Sequence, residues 1–172
     1  MKTVFWCIGY FLLTATAFSQ QQGRFSSMNF AGILVGQSSP AFEFHSINGM
    51  SLNKWFAGIG VGYDRYRIKS YPVYLAFRRE WGNSRQAVLL GLDGGRNFSE
   101  FNSGWYARPG VGWKIKLPAL SSALLLDMGY SFKQVIEKRY TVAPCLVPPC
   151  LELPETYKYQ LTRLSFRLGW QF

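Results

Sequence analysis

The sequence predicts an all-β chain, an eight-stranded antiparallel up-and-down transmembrane β-barrel, on three observations. Apolar and polar residues alternate with a period of two through most of its length. Aromatic residues make up 17% of the chain and glycines number 17, whereas charged residues reach only 16%, well below the roughly 25% of an ordinary soluble domain. After the first 20 residues, no uncharged apolar run approaches the roughly 18 needed to cross a bilayer as a helix. The 172 residues suffice for one domain with a sizeable core, and the aromatic content excludes intrinsic disorder.

The amino terminus reads as an address. Met1-Lys2 precedes the apolar run VFWCIGYFLLTATAF and then small residues, the layout of a secretory signal peptide. Cleavage after Ala17-Phe18-Ser19 makes residues 1–19 the signal and 20–172 the barrel. The alternative, an uncleaved anchor, is disfavoured by the short apolar core. Cys7 leaves with the signal. Cys145 and Cys150 remain as an even pair in the Pro-rich segment TVAPCLVPPCLELPE, and in an exporting compartment they are expected to form a local disulfide. A metal site needs four ligands and the chain has one histidine, His45, so neither a metal nor a cofactor is expected.

The strands follow in order. Phe25 to Gly36 and Ala41 to Ile47 alternate weakly. In Trp55 to Tyr66, the residues Trp55, Ala57, Ile59, Val61 and Tyr63 oppose a phase containing Gly58, Gly60, Gly62 and Asp64. Ser70 to Glu80 carries Val73, Leu75 and Phe77 on one phase, and Arg85 to Phe98 carries Val88, Leu90 and Leu92. In Trp105 to Lys116, Trp105, Val111, Trp113 and Ile115 oppose Arg108 and Lys114; in Ser122 to Lys133, Leu124, Leu126 and Met128 oppose Asp127 and Lys133. The last run is the clearest, with Leu164, Phe166, Leu168, Trp170 and Phe172 against Arg163, Ser165, Arg167 and Gln171. Connections after the second, fourth and sixth runs are short: Asn48 to Asn53, Gly82 to Ser84 and Leu117 to Ser121. Those after the third, fifth and seventh are more polar or longer: Lys69 to Ser70, Arg96 to Ser103 and Gln134 to Tyr157. Short turns at one end and longer loops at the other are the plan of a membrane barrel.

Alternation does not say which face points inward. A soluble lipocalin-like carrier turns its apolar face into a cavity; a membrane barrel turns it toward lipid. The polar phase, rich in Gly, Tyr, Ser and charges of both signs, suits a crowded lumen. Aromatics gather at strand ends (Trp55, Tyr63, Tyr71, Trp105, Trp113, Trp170, Phe172), as interfacial girdles require, and the chain stops inside its last strand. These three features favour lipid outside, so Leu164, Phe166 and Leu168 are expected to be lipid-facing.

The signal, the eight runs and the terminal RLGWQF resemble the small eight-stranded outer-membrane barrel family of Gram-negative bacteria, porin-like in its barrel domain, and SQQQ after the signal resembles exported proteins of the Bacteroidetes type. The resemblance implies an integral location in the outer membrane. It also implies that the terminal strand, with Trp170 and Phe172, is read by the barrel-assembly machinery.

An eight-stranded barrel has an interior just wide enough for side chains to fill. Glu43, His45, Asp64, Arg78, Glu80, Asp93, Arg108, Lys114, Asp127, Lys133, Arg163 and Arg167 are therefore expected to form a buried, mutually compensating charge network. The stripe Gly58, Gly60, Gly62 leaves room for large neighbours such as Arg108 or Tyr106. A lipid A-modifying enzyme is the catalytic alternative. The adjacent His45-Ser46 is the pairing on offer, and neighbouring strand residues point to opposite faces. The net charge of +10 suggests a cationic rim for lipopolysaccharide phosphates, from Arg65, Arg67, Lys69, Lys138, Arg139 and Lys158. Nucleic acid, the generic partner of such a charge, does not suit an exported protein. The expectation is a monomeric, non-enzymatic barrel with a structural or surface-interaction role.

Overall fold

The computed structural model describes residues 23–36, 39–66, 68–83, 85–99, 103–142 and 152–172. The expected signal peptide with Cys7, and the expected disulfide pair Cys145 and Cys150, lie outside the described residues. Eight strands follow one another: β1 (Arg24–Val35), β2 (Ala41–Leu52), β3 (Trp55–Tyr66), β4 (Ile68–Gly82), β5 (Gln86–Ser99), β6 (Ser103–Leu117), β7 (Ser122–Val142) and β8 (Glu152–Gln171). Each pairs antiparallel with the next, and β1 closes on β8, so the sheet has no open edge.

The short connections share one end of the barrel. Leu52 pairs with Trp55 across a two-residue turn in which Asn53 takes the left-handed region at φ 55, a conformation asparagine tolerates well. β4 ends at Gly82, φ 153, where an added Cβ would run into the backbone of Gln86 and Ala87. Between β6 and β7, Pro118–Leu120 forms a single 3-10 turn that Ser121 closes at φ 48.

Four stretches read as connections are wholly or largely strand. Lys69 and Ser70 lie in β4, paired with Arg65 and Asp64 of β3, and Arg96 to Ser99 belong to β5. The other two are extensions of β2 and of the β7–β8 pair. β2 continues to Leu52, so only Asn53 and Lys54 turn the chain. β7 and β8 continue far into the segment Gln134 to Tyr157, pairing from Gln134↔Gln160 to Val142↔Glu152. That hairpin extends beyond Tyr106↔Lys133 at the loop end of the β6–β7 pairing. A two-stranded ribbon needs no core face, so its sequence loses the period-two pattern by which strands are recognised.

The interior holds the phase of the alternation that contains the charges. At its turn end Met28, Phe30, Ile47, Phe56, Leu89 and Leu125 pack into an apolar plug with Tyr74 and Tyr106 above it. The glycine stripe makes room for rings, though not for Arg108 or Tyr106: a Cβ on Gly60 would meet the Tyr74 ring, and one on Gly62 the His45 imidazole. Gly169 similarly accommodates Phe30. Below the plug the turn end opens into a cavity of about 470 Å3, floored by Met28, Phe56 and Leu89.

Candidate functional site: the charged lumen and the barrel wall

Strand alternation delivers charged side chains to the axis at several depths, and the register decides which meet. Glu43, His45, Asp64, Arg78, Asp93, Arg108, Asp127, Lys133, Arg163 and Arg167 are all buried. The central cluster is built on two carboxylates. Glu43 accepts from Arg167 Nη2 at 2.8 Å, from the Ser165 hydroxyl at 2.5 Å and from His45 Nε2 at 3.1 Å. Asp93 meets Arg78 Nη1 at 2.5 Å, with Arg108 and Arg167 each 3.7 Å away. Arg108 ties the cluster to β7 and β8, pairing with Asp127 and donating from Nε to Ser165 Oγ at 3.0 Å. Asp127 and Arg167 are also direct cross-strand neighbours.

His45 is held on both sides. With its hydrogen on Nε2 facing Glu43, Nδ1 accepts the Tyr74 hydroxyl at 2.9 Å, and the two rings lie 5.6 Å apart. Ser46, next in sequence, is on the other side of the wall, so the two make no nucleophile–base pair. Toward the loop end, Lys133 pairs with Asp64, which also accepts from Ser70 Oγ at 2.8 Å. Arg163 donates to the Leu34 and Ser39 carbonyls at 3.4 and 3.0 Å. At the turn end Glu80 bridges Lys114 at 2.8 Å and Lys116 at 3.0 Å.

Among the described residues, five carboxylates, Glu43, Asp64, Glu80, Asp93 and Asp127, thus share the lumen and its turn-end mouth with seven cations, Arg78, Arg108, Lys114, Lys116, Lys133, Arg163 and Arg167. Near-neutrality is what a poorly solvated interior demands, since an unpaired charge there costs several kcal/mol. Tyr74, Tyr106, Ser70 and Ser165 complete the network; Tyr106 and Ser165 were placed on the polar phase by the sequence, whereas Tyr74 and Ser70 were not singled out. Their signal was the phase: each falls on the charged side of its strand, where tyrosine is easily taken for a girdle residue.

The outer surface has the opposite character. Leu164, Phe166, Leu168 and Trp170 of β8 face outward, as do Val73, Leu75 and Phe77 of β4. Exposed cations gather at the two ends: Arg24, Lys54, Arg79 and Arg85 at the turn end, Arg65, Lys69, Arg96 and Lys158 at the loop end. Arg79 sits between two girdle tryptophans, its guanidinium carbon 4.7 Å from the centres of both the Trp55 and Trp81 rings. On β5 the outward positions between Gln86 and Arg96 are Val88, Leu90, Leu92 and Gly94. Ten residues of tilted strand span about 25 Å along the barrel axis, the height of the apolar band of a membrane barrel. Phe172, exposed at the turn end, is hydrogen-bonded through its backbone to Ser27. The side chains of Lys138 and Arg139, and residue 67, lie outside what is described.

No known protein family and no characterised protein sequence matches the chain. Among solved structures it is similar to the crystal structure of Neisserial surface protein A (NspA), at 12% identity and a TM-score of 0.54, over 88% of this chain and 98% of that one. At that identity the likeness is one of fold.

Proposed function

We propose that the protein is an integral outer-membrane β-barrel without catalytic activity, serving a structural or surface-interaction role behind a lumen plugged by its own side chains. The observation that carries this reading is the inversion of the wall: charges inside and compensated, an apolar band outside, with the exposed cations of the described residues gathered toward its two edges. A soluble carrier would leave those exposed Leu, Phe and Trp side chains in water and wrap charges around its ligand. Likeness in fold to a Neisserial surface protein supports the same reading. The turn end then faces the periplasm, the assembly machinery reads β8 through Trp170 and Phe172, and loop-end cations such as Arg65, Lys69 and Lys158 meet lipopolysaccharide phosphates. The finer relationship, to Bacteroidetes-type barrels, rests on the SQQQ that follows the signal.

The test is fractionation of expressing cells followed by electrophoresis of the membrane-extracted protein with and without boiling. A heat-dependent mobility shift in the outer-membrane fraction is expected. Soluble protein with no shift would overturn the reading. Lipid A mass spectra from cells with and without the protein should be identical; a changed acylation pattern would make it an enzyme.

A further inference from the structure

One area of the outer wall is not apolar. Along β1 the outward phase runs Phe25, Ser27, Asn29, Ala31, and along β2 it runs Met50, Asn48, Ser46, Phe44. Of its polar members Asn29 and Asn48 are exposed, Ser46 is half-buried and Ser27 is buried beneath its neighbours. The register sets Ser27 opposite Asn48 and Asn29 opposite Ser46, between two apolar pairs, Phe25↔Met50 below and Ala31↔Phe44 above. Phe25 is 65% exposed, Met50 57% and Phe44 54%, so the polar patch is flanked by the same outward surface that faces lipid elsewhere. Asn48 and Ser46 stand four and six residues from the end of β2 at Leu52, about 10 to 15 Å along the axis at the tilt of such strands. That depth is inside the hydrocarbon, below the level where water satisfies an amide.

The carboxamides are only partly satisfied. Asn29 donates one N–H to Ser27 Oγ at 3.5 Å and Asn48 one N–H to Ser46 Oγ at 3.4 Å, both at the long limit of a hydrogen bond. Each amide has two N–H groups and a carbonyl with two lone pairs, so the larger part of its capacity is unused. Acyl chains offer nothing in return.

We infer that this β1–β2 face binds a second copy of the chain, about a two-fold axis parallel to the barrel axis. The inference rests on the membrane reading, because in water the patch would be an ordinary surface, and it replaces the monomer expected from the sequence. The occupant follows from the chemistry. An asparagine side chain donates and accepts, so a patch presenting the carboxamides of Asn29 and Asn48, with half-buried Ser46 beside both, is complementary to itself. A two-fold axis along the membrane normal brings the patches of two copies together at equal depth, an isologous contact. The patch carries no charge to oppose that approach. Small Ala31 beside it lets the walls come close, as small residues do where transmembrane segments associate through polar side chains. β1 also closes the ring on β8 from Ser27 to Val35, and a partner laid across β1 would brace that seam.

Sedimentation equilibrium of the membrane-extracted protein, in density-matched detergent micelles over a range of protein-to-detergent ratios, tests the inference. A monomer–dimer equilibrium is expected. Asn29→Leu with Asn48→Leu, which only makes the lipid face more apolar, should fold with the usual heat-dependent shift and raise the dissociation constant roughly tenfold or more. Ala31→Trp should weaken the dimer by bulk, while Leu92→Ala on the far side should leave it unchanged. Wild-type protein that shows the shift yet stays monomeric at every ratio would overturn the dimer alone. So would a double variant that dimerises as tightly as its parent. Protein that needs no detergent and shows no shift would overturn the membrane reading with it.

Discussion

Phe166 and Arg167 are neighbours on β8, yet one lies against lipid in the proposed reading and the other ends among Glu43, Asp93 and Tyr106 at the axis of the barrel. The barrel wall is one residue thick, so a single step along the chain crosses from a medium that rejects charge to one that requires it in pairs. A third environment lies at the turn end, where Glu80 meets Lys114 and Lys116 with its side chain 23% exposed. The same ion-pair chemistry is therefore present at two depths, and its worth should differ with the water available at each. Deep in the lumen the energetic question is what is left behind when one partner goes; at the rim, water replaces the partner.

That contrast can be broken by substitution. Arg167→Met should have the largest effect, about 3–5 kcal/mol, because it strands Glu43 and deprives Asp93 of one of its cations. Denaturant titration of the folded barrel in detergent, followed by the heat-dependent mobility shift, measures it. A loss below about 1 kcal/mol would mean that water enters the cluster. Across the wall, Phe166→Arg should cost roughly 2–4 kcal/mol through its position against the hydrocarbon and should reduce insertion into vesicles; normal insertion would undercut the assignment of outside and inside. Tyr74→Phe removes the hydroxyl that His45 Nδ1 accepts and should cost about 1–3 kcal/mol in the same titration, since a buried ring nitrogen is left without a partner. Glu80→Gln, at the rim, should cost less than about 1 kcal/mol, and raising the salt concentration should shrink even that difference. Equal costs for the Arg167 and Glu80 substitutions would show that depth does not separate the two clusters.

How far the sequence reaches depends on whether a residue's environment repeats with the strand period. On β5 through β8 it does, and the phase holding Asp93, Arg108, Asp127 and Arg167 separates cleanly from the phase holding Leu92, Val111, Met128 and Phe166. β1 and β2 alternate weakly, and the structure supplies the cause: Ser27, Asn29, Ser46 and Asn48 fall on the outward phase, so the irregularity was itself the mark of the polar patch. Beyond Gln134 the pattern fades because the β7–β8 hairpin pairs there without a core to face. Which glycine serves which ring was not legible either, since Gly60 and Gly62 accommodate residues of adjacent strands whose register no local rule states.

The order of strands, the short turns at one end and the division of each strand into two faces were determined by the sequence alone, because backbone pleating turns a period of two into sidedness without reference to the rest of the molecule. Alternation left the inward face open; the strand-end aromatics and the mixed polar phase pointed the charges inward, and the closed barrel holds them there. Only the tertiary structure decided that Glu43 of β2 meets Arg167 and Ser165 of β8, and that Asp93 collects three guanidiniums. Those pairings join residues up to 124 positions apart, and they exist because closing β1 onto β8 brings the first and last strands together around a lumen too narrow to leave any charge without a partner.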